Sequence, residues 1–164
     1  MYKNARIVYI SGSMEGRLFK FVKKERDIAI KKITDAGFFA CNPLRHKGIE
    51  LGKTMNLANT KLEIQQIIGR DELDILHSDA LIVLTGDTPS SGTWFEFAFA
   101  HYVVKIPIIV IAPKMRKAMD KKGAAFEWTG GKATKVVSTI DAAIAILEWL
   151  FGNRYSIPHS DLNF

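Results

Sequence analysis

Residues Asp79 to Tyr102, DALIVLTGDTPSSGTWFEFAFAHY, decide the fold. Ala80 to Thr85 is an unbroken apolar run rich in β-branched residues, which reads as a strand buried on both faces rather than on one. The polar segment GDTPSSGT follows, and Thr93 to Val104 then reads as an apolar helix. A doubly buried strand running straight into a helix is half of a βαβ unit, from which parallel sheets are built.

Outward from this stretch the same alternation recurs. Ala5 to Ser11, Phe38 to Asn42, Pro107 to Ala112 and, more weakly, Lys135 to Ser138 read as strands; Phe19 to Ala36, Lys61 to His77 and Thr139 to Phe151 read as helices. The expectation is a single α/β domain over residues 1–164, a doubly wound, flavodoxin- or Rossmann-like sheet of about five parallel strands with helices on both faces. Lys47 to Thr60 lacks clear periodicity and is long for a loop in a compact domain, which makes it a candidate lid or substrate loop. No internal repeat or low-complexity tract interrupts the pattern.

The 164 residues suffice for one hydrophobic core, and 48% hydrophobic with 24% charged residues exclude a disordered chain. The single cysteine, Cys41, can form neither an internal disulfide nor a metal cluster, so a reducing, cytoplasmic setting is expected, with no metal and no cofactor. The apolar part of the opening MYKNARIVYI is too short for a signal peptide, and no run reaches the length of a membrane span, so no membrane partner is expected. The net charge of +6 points to an anionic partner. KFVKKER (Lys20 to Arg26) and KMRKAMDKK (Lys114 to Lys122) read as solvated faces of surface helices. Neither interleaves aromatics and no helix-turn-helix or zinc-finger pattern occurs, which leaves a nucleic-acid partner supported by charge alone.

In a doubly wound sheet, ligands bind beyond the carboxyl ends of the strands where strand order reverses. SGSMEGR follows the first strand, NPLRHK the second and GDTPSSGT the third. Gly12 and Ser13, with Ser11 and Gly16 beside them, could cradle a phosphate with free amides and hydroxyls, although the spacing matches neither a dinucleotide fingerprint nor a P-loop. Ser90 and Gly92 stand at a helix start, where amides attract anions. An ordinary turn and an ordinary cap account for these residues equally well.

Glu96 is the conspicuous residue, an acid read in the first turn of a helix and flanked by Trp94, Phe95, Phe97 and Phe99. An ionised carboxylate in such surroundings is costly unless something compensates it. Thr93-Trp94-Phe95-Glu96 matches a capping box, in which Glu96 bonds back to the Thr93 amide, and the stretch supports that reading and a catalytic one equally. Asp71, eight residues before Asp79, reads by itself as a solvated helix acid, and Asp79 as a helix-ending or strand-leading residue.

The string D-x7-D-A-L-I-V-L … P-S-S-G-T-W-F-E-F-A-F-A, preceded by VYISGSMEGR, resembles the nucleoside 2-deoxyribosyltransferase family and the related 2′-deoxynucleoside 5′-phosphate N-hydrolases. The resemblance spans Ile7 to Ile111, with three motifs in the family's order. A GT-x-x-E match alone is shared with other nucleotide-handling families, including the cytokinin-activating phosphoribohydrolases. The resemblance implies that Glu96 is a nucleophile toward C1′ of the sugar. It implies that Asp71 contacts the leaving base and assists its departure, and that Tyr9 orients the catalytic carboxylate. Ser13 and Ser90 would hold a 5′-phosphate, with Ser90 standing where the transferase branch tends to carry an acid. It further implies a small-molecule nucleoside or nucleotide substrate and a homo-oligomer with its sites near the subunit interface.

The chain departs from the family in one place: the phosphate-binding serine given by a neighbouring subunit has no counterpart around KMRKAMDKK, where Lys114, Arg116 and Lys117 are the candidate substitutes. In the transferases the C-terminal carboxylate can also complete a neighbour's site, a role the sequence neither assigns to Phe164 nor excludes. The expected activity is cleavage of an N-glycosidic bond, with the sugar passed to water or to another base. The alternatives are a non-catalytic nucleotide-binding or sensor module, which the presence of both Asp71 and Glu96 argues against, and a phosphoribohydrolase of the cytokinin-activating type.

Overall fold

The computed structural model describes residues 5–14, 16–45, 53–55, 63–85, 90–112 and 132–152. Five strands, β1 (Ile7–Gly12), β2 (Phe39–Cys41), β3 (Ala80–Leu84), β4 (Ile108–Ile111) and β5 (Lys135–Val137), form one sheet in the order β2-β1-β3-β4-β5. All four neighbouring pairs are parallel. The helices are α1 (Phe19–Asp35), α2 (Ile64–Leu76), α3 (Ser91–Ala98) and α4 (Ile140–Phe151), with α3 continuing as a π-helical segment, Phe99–Val104. That segment ends at Lys105, whose φ of 60° lies in the left-handed region.

The fold expected from the sequence is the one observed. Chain order runs from β1 outward to β2, then returns to the other side of β1 for β3, so strand order reverses between β1 and β3. The crevice for a ligand in this topology lies beyond the carboxyl ends of those two strands.

The two faces of the sheet bury separate cores. Val8, Ile10, Ile82, Leu84, Ile109 and Ile111 point to the side covered by α1 and α4, where Ala29, Ile33, Ala143 and Leu147 meet them. Tyr9, Leu81, Val83, Ile108 and Val110 point to the other side, against Ile75 of α2 and Phe97 of α3. Strand side chains alternate between faces, so the residues of β1 at odd positions all look toward α2 and α3. Each aliphatic side chain fully buried in this way contributes about 1.5–3 kcal/mol.

Asp79 is the strand-leading residue expected. It accepts from the Ile7 amide at 2.8 Å and from Arg6 Nη1 at 2.7 Å, while its own amide donates to the Ile7 carbonyl at 2.7 Å, locking β1 against β3. It lies beyond the end of α2, whose last residue is Leu76.

The basic run Lys20 to Arg26 is not uniformly a solvated face. Arg26 is 2% exposed, because it falls with Val22, Ala29 and Ile33 on the inward stripe of α1. Of the candidate lid, residues 53–55 dock on the turn after β1, with Met55 donating to the Arg17 carbonyl at 2.7 Å and Lys53 accepting from the Phe19 amide at 2.9 Å. The remainder of that loop, the basic run Lys114 to Lys122 and the C-terminal Phe164 lie outside the described residues. No helix among the described residues is long and apolar enough to cross a membrane.

Candidate active site

Strand alternation sends Tyr9 and Ser11 toward α3, and Glu96 comes down from α3 to meet them. The Tyr9 hydroxyl donates to Glu96 Oε1 at 2.8 Å, and the Ser11 hydroxyl donates to Glu96 Oε2 in a short hydrogen bond. Tyr9 is fully buried and Glu96 is 9% exposed. Each carboxylate oxygen therefore has one neutral hydroxyl partner.

This geometry corrects the reading of Glu96 as a first-turn residue. The N-cap of α3 is Ser90, whose Oγ accepts from the Thr93 amide at 3.2 Å and contacts Thr93 Oγ1 at 2.7 Å. The Thr93 amide is thus capped by Ser90, and the proposed capping box with Glu96 does not form. Glu96 lies in the second turn, beyond the reach of the helix N-terminus as a source of charge stabilisation. The apolar surroundings are also thinner than the sequence implies. Phe97 is buried, but Phe95 is exposed and stacks on Phe99.

Burial raises the Glu96 carboxyl above its ordinary range; the hydrogen bonds from Ser11 and Tyr9 pull it back, the nearby Asp71 charge raises it again, and Arg26 lowers it. Burial, Glu96 and Asp71 together push the Tyr9 phenol well up, so it stays a proton donor at neutral pH. Tyr9 and Glu96 are in direct contact, and Asp71 is close enough for its charge to act on both.

Asp71 is not the solvated helix acid that its position alone suggested. It is 8% exposed, on the inward stripe of α2 with Ile67 and Ile75. Arg70 holds it, donating to Asp71 Oδ1 from Nη2 at 2.6 Å and from Nε at 3.1 Å. The same guanidinium donates to the Arg45 and Pro43 carbonyls at 3.0 and 2.9 Å. Arg45 in turn pairs with Asp74 of α2 and lies 3.4 Å from Cys41 Sγ. Two arginines thereby stitch the segment after β2 onto α2, which gives Pro43 and Arg45 a structural role. Burial, with Asp74 beside it, pushes the Cys41 thiol up to about 11, so it is no nucleophile at neutral pH.

The phosphate candidates divide. Gly12 has φ of 152°, and a Cβ there would meet the Leu84 carbonyl oxygen at 2.5 Å; only glycine permits β1 to lie this close to β3. Ser13 is buried directly after it, and its carbonyl accepts from Arg17 Nη1 at 3.0 Å. Ser90 and Gly92 start α3, with the Ser90 hydroxyl already serving the cap. Among the described residues no group of three or more His, Cys, Asp or Glu side chains could hold a metal ion.

Three residues of this region escaped sequence reasoning in their actual roles: Ser11, Arg26 and Arg70. Their signals were present. Ser11 is two positions from Tyr9 on one strand, hence on the same face, and Arg26 interrupts an apolar stripe with i, i+4 spacing. Nothing in the local pattern marks Arg70.

No family model matches the chain, and no curated protein does. Solved structures share its fold. A conserved protein from Enterococcus faecalis V583 superposes with a TM-score of 0.64 at 17% identity, covering 89% of this chain and 99% of its own. The solution structure of BlsM gives 0.64 at 19%, covering 94% and 98%. A 2-deoxyribosyltransferase from Bacillus psychrosaccharolyticus gives 0.57 at 14%, covering 84% and 90%, and the Clostridium botulinum CMP N-glycosidase BcmB gives 0.55 at 15%, covering 88% and 99%. The chain thus shares the fold of these solved structures, two of which are named as a 2-deoxyribosyltransferase and a CMP N-glycosidase.

Proposed function

We propose that this protein is an enzyme of the nucleoside 2-deoxyribosyltransferase-like kind. It cleaves the N-glycosidic bond of a (deoxy)nucleoside or its 5′-monophosphate and passes the sugar to water or another base. The observation that carries the reading is the buried Glu96 carboxylate, held by Tyr9 and Ser11 beside the β1–β3 crevice with Asp71 near it. Glycosidic cleavage needs one carboxylate for the developing positive charge at C1′ and one acidic group toward the leaving base. In this reading Glu96 attacks C1′ and forms a glycosyl ester as the bond to the base breaks. Tyr9 and Ser11 fix its two oxygens, and Asp71 contacts the departing base. Water or a second base then displaces Glu96.

Hydroxyl donors suit a nucleophile. They orient the carboxylate without neutralising it, as a direct arginine pair would. A 5′-phosphate would lie against Gly12 and Ser13 on one side and the start of α3, Ser90 and Gly92, on the other, where amides and hydroxyls satisfy a dianion. The net charge of +6 favours such an anion. A homo-oligomer belongs to the same reading. α2 packs against the π-helical segment, and the two leave Ile68, Tyr102 and Val103 about half exposed, apolar surface of the kind that subunit interfaces cover.

The test is incubation with a panel of nucleosides and 5′-monophosphates, with and without a free acceptor base, followed by chromatography of released and exchanged bases. The reading expects base release from at least one member. Release from none, over a panel covering ribose and 2-deoxyribose with all common bases, would defeat it.

A further inference from the structure

Arg26 is the largest fully buried side chain among the described residues, and the proposed chemistry does not yet use it. Its partners are two backbone carbonyls. Nη1 donates to Ile10 at 2.6 Å and Nη2 to Gly12 at 3.1 Å. These carbonyls are open because β2 is short. The Arg6 carbonyl accepts from Phe39, so even-numbered carbonyls of β1 face β2, yet β2 stops at Cys41, opposite Tyr9. Ile10 and Gly12 extend past it, and the guanidinium takes the place of the missing strand.

Two carbonyls need donors, but they do not need a charge. A neutral donor would satisfy them without the desolvation cost of a buried cation, which is several kcal/mol unless an anion compensates. No carboxylate forms an ion pair with Arg26 among the described residues. Glu25, near it in sequence, is itself paired with Arg17 at 2.8 Å and is partly exposed. The buried anion within its field is Glu96, on the opposite face of β1, whose two hydroxyl partners flank the Ile10 carbonyl in sequence. We infer that Arg26 is a positioning residue for the reaction: it fixes the strand end that carries Tyr9 and Ser11, and from behind β1 it adds positive charge that favours the ionised form of Glu96.

The inference rests on the reading of Glu96 as nucleophile only for its catalytic consequence. The groups that act on Glu96 are Tyr9 and Ser11 from β1, Asp71 from α2 and, from the other face of β1, Arg26 of α1; Asp71 opposes ionisation and Arg26 favours it. Arg26 also senses Tyr9, Glu25 and Arg17.

The test is a carbon-13 NMR titration of labelled glutamate carboxyls in the full-length protein, with Glu96→Gln assigning the resonance. Arg26→Gln, which can still donate to a carbonyl, should raise the Glu96 midpoint by about one to two pH units. Arg26→Lys, which keeps the charge, should leave it within about half a unit. An unchanged midpoint in Arg26→Gln overturns the inference. If Arg26→Gln does not fold, the double variant Arg26→Gln/Glu96→Gln decides. Restored folding supports a compensated charge pair, and failure as complete as in the single variant reduces Arg26 to a structural donor. An active Glu96→Gln enzyme alongside a shifted midpoint would defeat the nucleophile reading and leave this one standing.

Discussion

Glu96 and Asp71 are both buried acids beside one crevice, and the molecule treats them in opposite ways. Glu96 meets two neutral hydroxyls, Tyr9 and Ser11, and the cation whose charge reaches it, Arg26, bonds to carbonyls instead. Asp71 is gripped directly by Arg70, which is itself tied to the Pro43 and Arg45 carbonyls. An acid held by hydroxyls keeps its charge available to attack carbon. An acid held in an ion pair has part of that charge satisfied and its position fixed. The difference teaches that two buried acids on one sheet face can be given unlike environments, and unlike environments are what the proposed two-carboxylate reaction asks of them.

The comparison can be broken most severely at Glu96. Glu96→Gln preserves shape, keeps an acceptor oxygen for one of the two hydroxyls and offers an NH2 that donates to the other, so the fold should persist, by circular dichroism and thermal melting, while turnover drops by at least about a thousandfold. Asp71→Asn should produce the next largest loss, and an uneven one, heavier on poor leaving bases than on good ones because a contact to the departing base matters most where the base leaves least readily, read from kcat across a base series. An equal loss on every base would make Asp71 a structural residue alone. Tyr9→Phe removes one hydrogen bond to a charged group, about 1.5–3 kcal/mol, and should lower kcat roughly ten- to hundredfold with KM little changed.

The pH profile sharpens the same contrast. Because burial raises Glu96 and the reaction needs it ionised, turnover should be full above its folded midpoint and fall as pH drops through it, at a pH above the usual carboxylate range. In Tyr9→Phe that acid limb should move further up, since a stabilising donor is gone. The smallest effect is expected at the rim. Ser90→Ala removes the cap of α3, about 1 kcal/mol of stability, and should weaken use of a 5′-monophosphate more than use of the matching nucleoside. Equal weakening of both would return the substrate to a free nucleoside.

How much of this the sequence carried depends on the kind of signal. The sheet was legible because its strands, buried on both faces, are continuous apolar runs, and Ala80–Leu84 is buried at every position. Glu96, Asp71 and Tyr9 were legible through a motif resemblance, and their convergence follows from topology. What hid was anything that depends on a length or a register. The N-cap at Ser90 moved Glu96 one turn into the helix, which no propensity distinguishes from a start at Thr93. Arg26 was read with its lysine neighbours as solvent-facing, although its spacing from Val22 and Ala29 places it inside. The reason it is inside, a second strand three residues long, is a tertiary fact that a local pattern does not encode.

The most direct test of the central claim is to look for the glycosyl ester. Wild-type protein, mixed rapidly with whichever panel member releases base and quenched in acid, should carry a covalent sugar or sugar-phosphate adduct by intact-mass spectrometry. Peptide mapping should place it on Glu96, and Glu96→Gln should show none. Rapid base release with the adduct on another residue, or with Glu96→Gln turning over as fast as wild type, would contradict the account.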